Sequence, residues 1–310
     1  MRSLLIFTLV GIGAQLVDGA LGMAFGVTAT TLLVLSSVGA AQASAAVHLA
    51  EVGTTFASGL SHWKFKNIDW KLVAKLGAPG AIGAFLGATV LSSLSTEHAA
   101  PLMAGILMAI GTYVLLRFSL GKPMNFGSRG TSHSVKFLAP LGLFGGFIDA
   151  SGGGGWGPVT TSTLLSQGKT APRTVIGSVS ASEFLVAVSA SLGFLIGLRE
   201  EFLDNWPVVV GLMVGGVIAA PFAAWLVSRV SPALLGTAVG GVIVLTNSQK
   251  LVHFFDIQWP WSTAIYSVIV VAWASLVVYA WRVSRAPKFA PESAEPVATA
   301  DAPESETVTR

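Results

Sequence analysis

The chain has no cysteine, and only 11% of its 310 residues are Asp, Glu, Lys or Arg. The first absence excludes disulfides, thiolate metal sites and cysteine nucleophiles, although it leaves the redox compartment open. The second excludes far more. A soluble domain carries about 25% charged residues, and a chain of this size cannot cover a water-exposed surface with so few. Hydrophobic residues make up 53% and the mean hydropathy is +0.72. A second solvent is required, and lipid supplies it. Soluble enzymes, nucleic-acid binders and disordered scaffolds are excluded as classes, so the chain is read as an integral membrane protein whose first partner is membrane lipid.

Catalytic signatures are missing as well. There is no HExxH zinc motif, no GxSxG elbow and no Walker motif, so an intramembrane enzyme has no support beyond buried carboxylates, and an ATP-driven pump would need a separate motor. No cofactor and no metal are expected.

The net charge of +3 is informative once divided. From Arg285 onward the chain carries three basic and five acidic residues and is rich in Pro, Ala and Glu, which reads as a disordered cytoplasmic tail. The remaining body holds 15 basic and 10 acidic residues, a net +5. The N-terminus carries one Arg and an apolar stretch that continues into the body. It is read as a first membrane element, because no small-residue cleavage site precedes a soluble region.

Apolar stretches fall near 3–37, 42–61, 72–94, 99–119, 135–167, 174–198, 206–228, 232–252 and 261–281. Most match the ~20 residues that cross a hydrocarbon core. The stretches at 3–37 and 135–167 are too long for one span, and each is broken by glycine, in GAQLVDGALGMAFG and GGFIDASGGGGWGP. Four consecutive glycines, Gly152 to Gly155, cost a helix about 1 kcal/mol each against Ala, so each stretch is expected to be two half-helices meeting at a non-helical turn. Such backbone survives at membrane depth only where protein or water satisfies its amides.

The two broken stretches are copies. A shift of 131 residues places Asp18 on Asp149, Gly22 on Gly153, Phe25 on Trp156, Gly26 on Gly157 and Thr30 on Thr161; one further residue places Glu51 on Glu183. A repeat of this length and content points to a duplicated transporter fold. Basic residues set its orientation. The segments 62–75 and 117–136 each carry four Lys or Arg, and Arg282, Arg285 and Lys288 close the last stretch; all three are expected on the cytoplasmic side. They fall there together only if each broken stretch is a hairpin returning to its own side. That also places Lys169, Arg173 and Arg229 inside, the acidic segment 199–204 outside and the N-terminus outside, the last against the lone Arg2.

The expected fold is therefore an all-α membrane protein of two inverted repeats. Each repeat has a glycine-broken re-entrant hairpin and three spanning helices, and one further C-terminal span follows, giving seven full spans and two re-entrant hairpins. The boundaries are 1–119 for the first repeat, 120–134 for a cytoplasmic linker, 135–252 for the second repeat, 253–284 for the final helix and 285–310 for the tail.

Four of the ten acidic residues of the body, Asp18, Glu51, Asp149 and Glu183, lie inside apolar segments, with no Lys or Arg at comparable depth. An unpaired Asp at a membrane-helix centre costs about 2.5–3.5 kcal/mol on the lowest scales, so four in symmetric pairs point to a polar cavity. Half-helix N-termini offer free N–H donors and about half a positive charge. The runs Gly19 to Gly26 and Ala150 to Gly157 thus read as anion receptors, with glycine admitting close approach. Desolvated carboxylates beside them could couple proton movement to transport. Blander readings stand beside these: Asp18 and Asp149 as N-caps of the half-helices that follow, Glu51 and Glu183 as neutral acids hydrogen-bonded between helices, and His48 as a satisfied core residue rather than a proton relay. Trp156 either walls the ligand site or plugs the cavity. The segment GAPGAIGAFLGA at 77–88 reads as close helix packing, and His62, Trp63 and Trp70 as an interfacial belt.

With these features in view, QLVDGALGMAFG at 15–26, ASAAVHLAEVGTTFASGLSHW at 43–63 and FIDASGGGGWGPVTTSTLL at 147–165 resemble the TauE/SafE family of sulfite exporters and related anion permeases, over about residues 4–281. The resemblance implies a bacterial-type plasma (inner) membrane, a small sulfur-containing anion such as sulfite or an organosulfonate, and a gradient-coupled secondary mechanism. On this reading the substrate-binding residues are Asp18, Gly19, Gly22, Gly26, Asp149, Ser151, Gly152, Gly153, Gly154, Gly155, Trp156 and Gly157. Proton coupling falls to Glu51, Glu183 and His48 together with Asp18 and Asp149. A passive anion channel using the same amides is the alternative. The oligomeric state, monomer or homodimer, stays open, because no lipid-facing dimer motif stands apart from the packing glycines.

Overall fold

The computed structural model describes residues 2–21, 23–120, 133–167, 169–199, 206–227 and 231–285. The expected tail, most of the 120–134 linker and Gly22 lie outside the described residues. Among those described, the chain is helical throughout, without strands. Its helices are α1 (Arg2–Leu21), α2 (Phe25–Leu35), α3 (Ala40–Lys64), α4 (Trp70–Ser93), α5 (Thr96–Leu120), α6 (Val135–Gly152), a π-helical turn (Gly157–Thr161) running into α7 (Ser162–Gln167), α8 (Pro172–Gly197), α9 (Trp206–Val227), α10 (Pro232–Phe254) and α11 (Trp261–Arg285). Polar side chains start several of them. Asp69 accepts from the N–H groups of Lys71 and Leu72, Ser134 from that of Lys136, and Ser231 from that of Leu234, satisfying donors that a helix end otherwise strands.

Both long stretches break where the glycines fall, but the limbs are unequal. α1 has 20 residues and α2 only 11; α6 has 18, and the π turn with α7 continues from residue 157 to residue 167. At about 1.5 Å per residue α1 reaches about 30 Å, so the first limb is longer than a half-helix. The second limb doubles back along the first, as Gly145 packs against Thr160 and Gly13 against Leu32. In the second stretch the two ends meet, since His133 Nδ1 lies 3.1 Å from Gln167 Oε1. Nearby, the Asp69 N–H donates to Ser178 Oγ at 2.8 Å, so the α3–α4 turn and the start of α8 share that end of the molecule.

Helices pair across the halves. α1 packs along α9, and α6 packs along α4; α3 pairs with α8 and α5 with α10. Two hydrophobic cores result. One draws chiefly on α4, α5, α6, α7 and α8, the other on α1, α2, α3 and α9. The small residues of 77–88 bring α4 against its neighbours as expected: a side chain on Gly83 would run into the backbone of Leu143 and Phe147, and one on Gly77 into Ser182. Close approach of this kind replaces the missing hydrophobic drive between helices in lipid.

Four helical segments, Trp70–Ser93, Glu97–Leu120, Arg173–Gly197 and Trp261–Ser284, are long and apolar enough to cross a membrane. All four belong to the expected full spans. α3 has the length, with 25 residues, but carries a polar stripe that includes His48, Glu51, Thr55 and Ser58. α11 differs from the rest, with only 6% of its apolar window buried. It is held by buried Ala280 and by half-buried Trp273, whose ring covers Gly241 and whose Nε1–H donates to the Thr237 carbonyl at 3.2 Å.

Gly146→Ala in α6 is expected to lower the melting temperature in detergent, because its methyl would strike the Gly80 carbonyl and the backbone of Ala84. Gly105→Ala, where nothing lies within 4 Å, is expected to leave it unchanged or to raise it, given the helix-propensity gain of about 1 kcal/mol.

Candidate functional site

The two chain breaks lie back to back. A side chain on Gly26 would meet Gly154 Cα and Glu51 Oε1, each at 2.9 Å. Gly153, Gly154 and Gly155 all take positive φ, at 70°, 141° and 155°, which residues with a Cβ rarely adopt. The Thr30 hydroxyl donates to the Gly153 carbonyl, and Ser44 Oγ–H donates to the Ala150 carbonyl at 2.6 Å. α2 and α3 thereby satisfy carbonyls that the break in the other stretch releases.

Each break is bridged by its own carboxylate. Asp18 Oδ1 accepts from the N–H groups of Ala24 at 2.8 Å and Phe25 at 3.1 Å. Asp149 Oδ1 accepts from the Trp156 N–H at 2.8 Å. The sequence reading placed these residues as N-caps directly before the second limbs. They sit instead in the last turn of the first limbs and reach across the break, seven residues to Phe25 and seven to Trp156. A local N-cap bonds two or three residues ahead; here the antiparallel return of the chain brings the orphan donors to the carboxylate.

Behind this frame lies a buried cluster. His48 on α3 is fully buried, and its Nε2 lies 3.3 Å from the Asp149 carbonyl. A carbonyl only accepts, so Nε2 carries the hydrogen. Nδ1 then faces Glu51 Oε2 at 3.0 Å and Asp149 Oδ2 at 3.8 Å. Two ionised carboxylates around a bare ring nitrogen would be three acceptors without a donor, so the arrangement is satisfied when a proton sits among them. Asp149 Oδ2 is buried without a hydrogen-bond partner. Glu183 on α8 completes the set and interacts electrostatically with Glu51, Asp149 and Asp18.

These residues open onto a cavity of 270 Å³. Asp18 and Gln15 on α1, the N-terminal turn of α2, Glu51 through Ser58 on α3, the glycine break and π turn, and Glu183 and Ser180 on α8 all line it. It runs to His62 and Ile176, toward the end shared by the α3–α4 turn and the start of α8. The lining includes Gly26, Gly154, Gly155 and Gly157 and, among the described residues, no lysine or arginine. Ser151, Gly152, Gly153 and Trp156, also expected in the site, lie outside that lining. Ser151 Oγ–H bonds back to the Phe147 carbonyl, Gly152 packs on Ile106, and Gly153 on Thr30. Trp156 is fully buried, donates Nε1–H to the Val179 carbonyl at 3.2 Å and fills the space over Gly80. Gly19 lies in α1.

Three contributors escaped the sequence reading. His62, read as part of an interfacial belt, lines the cavity, whereas Trp63 and Trp70 are exposed. Thr55 and Ser58 line it too. Their signal was present: Glu51, Thr55, Ser58 and His62 follow the i, i+4, i+7, i+11 spacing of one helix face. Ser44 and Thr30 left no such signal, because their partners lie more than a hundred residues away.

Fold and site define a polytopic helical membrane transporter with a polar cavity between two packed chain breaks. Residues 7–249 match the family described as sulfite exporter TauE/SafE, and the chain belongs to that family. It is 48% identical over 283 residues to the probable membrane transporter protein YtnM of Bacillus subtilis (strain 168), covering 90% of this chain and 93% of that protein. It is also 24% identical over 247 residues to the probable membrane transporter protein YdhB of the same organism, covering 79% of this chain and 100% of that one. No solved structure matches it.

Asp149→Ala, which strands the Trp156 N–H, is expected to destabilise the protein by about 1–3 kcal/mol. Asp149→Asn keeps a side-chain acceptor and is expected to lose less. Unfolding of the two purified variants in one detergent, followed by tryptophan fluorescence, compares them directly.

Proposed function

We propose that the protein is a secondary transporter for a small sulfur-containing anion, sulfite or an organosulfonate, coupled to protons and working in the plasma membrane. One observation carries this reading: a 270 Å³ polar cavity ends on the two chain breaks and runs toward the end of the molecule that holds His62 and Ile176. Beyond the breaks the contacts of Gly26 with Gly154, Thr30 with Gly153 and Ser44 with Ala150 close the way. A channel needs a continuous path, so the closure supports alternating access.

The inverted repeat belongs to the same proposal. α1 and α6 are equivalent under the 131-residue shift, and each packs along the second spanning helix of the opposite half, α9 and α4. Asp18 with Phe25 and Asp149 with Trp156 repeat one bond at one spacing. The meeting of His133 with Gln167 supports a re-entrant second stretch. Lys64, Lys66, Lys71 and Lys169 then gather at the end toward which the cavity runs, which by the excess of basic residues is the cytoplasmic one. On this reading the cavity faces inward and the C-terminus is cytoplasmic.

The anion would meet the N-terminal turns of α2 and of the π segment. Asp18 and Asp149 already bond the first amides there, so each acts as an internal stand-in for substrate. Proton uptake by the acids of the cluster weakens that competition and couples the two movements. In proteoliposomes the wild type is expected to accumulate sulfite against its gradient when a proton gradient is imposed. Asp149→Asn and Glu183→Gln are expected to abolish the pH dependence of that flux. Unchanged pH-dependent flux in both variants would remove these residues from coupling, and ion conductance without uphill accumulation would make the protein a channel.

A further inference from the structure

The two halves of the interior correspond in sequence and differ in exposure. The shift that carries Glu51 onto Glu183 also carries Thr54, Thr55, Ser58 and His62, which line the cavity from the C-terminal half of α3, onto Val186, Ala187, Ala190 and Phe194 of α8. None of those four α8 residues lines the cavity, and all are fully buried. In the other direction, Ile176, Val179 and Ser180 line the cavity from the N-terminal half of α8 and correspond to Ser44, Val47 and His48 of α3. These three are fully buried as well. Each helix thus gives one half to the cavity, and the two remaining halves are packed shut.

α3 and α8 run antiparallel, with Ser58 beside Ser180 toward one end and His48 beside Phe194 toward the other. At the shut end Phe194 stacks on His48, with ring centroids 6.2 Å apart and planes 19° from parallel. The counterparts of that pair, His62 and Ser180, stand at the open end, where His62 is only half-buried. Chemistry separates the two ends too. The open half of α3 carries hydroxyls and an imidazole, whereas the shut half of α8 carries Val, Ala and Phe, a lining that stays dry when closed. Two halves of like sequence can take each other's conformation, so residues lining a cavity in one state have counterparts that line it in the other.

We propose that Phe194 is the gate of a second path. This path leaves the acid cluster between the N-terminal half of α3 and the C-terminal half of α8, and it opens on the face opposite the present cavity mouth. While Phe194 covers His48, the apolar lining keeps water and protons out, and the acids communicate with one face only. The proposal rests on the reading of the protein as an alternating-access carrier with inverted halves. It goes beyond that reading by naming the second path and the side chain that closes it.

The chain has no cysteine, so any introduced thiol is the sole one. Ser58→Cys, Val186→Cys and Ala190→Cys are made singly in the full-length protein, with the exposed Leu192 of α8 replaced as a control in Leu192→Cys. A charged, membrane-impermeant methanethiosulfonate is applied to one face or the other of membrane vesicles, with and without sulfite and an imposed proton gradient, and sulfite flux is followed in parallel. Ser58→Cys is expected to react from the face nearest His62. Val186→Cys and Ala190→Cys are expected to react from the opposite face alone, faster while transport is driven, and Leu192→Cys from neither. Adding Phe194→Ala to Ala190→Cys is expected to raise the undriven rate about tenfold, because the closed state alone loses the buried ring. Phe194→Leu, which keeps a large apolar side chain, is expected to raise it less. A rate unaltered by Phe194→Ala would remove Phe194 as the gate. Val186→Cys and Ala190→Cys that stay inert while sulfite is moved would overturn the path and leave the carrier in place. Labelling of Ser58→Cys and Ala190→Cys from both faces, with ion conductance, would overturn the carrier and the gate together.

Discussion

A carboxylate reaching back across a broken helix is the interaction on which the structure turns. Helical backbone in lipid is self-satisfied, and a break releases donors and acceptors that hydrocarbon cannot solvate. Asp18 and Asp149 take the released N–H groups of the second limbs. Thr30 and Ser44 supply donors to released carbonyls of the opposite break. With these bonds made, non-helical chain persists at depth, and the Gly26–Gly154 contact lets the two breaks share one small volume. Everything polar in the interior is arranged around that volume.

The rest of the packing keeps the breaks together. Each first limb leans along a helix from the opposite half, α1 on α9 and α6 on α4, so neither half closes its own core. The glycines of α4 and α6 permit this by bringing backbone against backbone. Trp156, locked by the Val179 carbonyl and the surface of Gly80, fills the gap left beside the second break. α3 and α8 cross between, with His48 and Glu51 on one and Glu183 and Ser180 on the other. The Ser58 and Ser180 hydroxyls, 2.8 Å apart, tie these two helices near the cavity. A movement of either helix changes the surroundings of the acids in the cluster, as the proposed coupling requires.

Much of this was legible in the order of residues. Periodicity and apolar length placed the helices within a few residues, because lipid demands runs of about 20 residues and glycine runs interrupt them at a known cost. The self-similarity at 131 to 132 residues pairs Asp18 with Asp149 and Glu51 with Glu183, and all four line one cavity. Composition is a strong signal in lipid because each buried charge is expensive, so the acids that persist there mark a site. The roles of individual residues were harder to read. Ser151, Gly152 and Trp156 belong to the same motif as Gly154 and Gly155, yet they turn into helix packing; one residue of rotation in a glycine run separates the two fates, and glycine dihedrals leave no trace in composition.

Lipid solubility, helix content, the broken stretches and the acid pairs followed from the chain alone, since each depends on local composition or on spacing within one helix. Which donors the aspartates hold, how the two breaks meet and where the cavity runs depended on contacts between residues more than a hundred positions apart. His62 shows the division. Its place on the polar face of α3 was encoded by helical period, but a polar face turned to headgroups and one turned to a cavity have the same period. Only the packing of α8 across α3 made it part of the cavity wall.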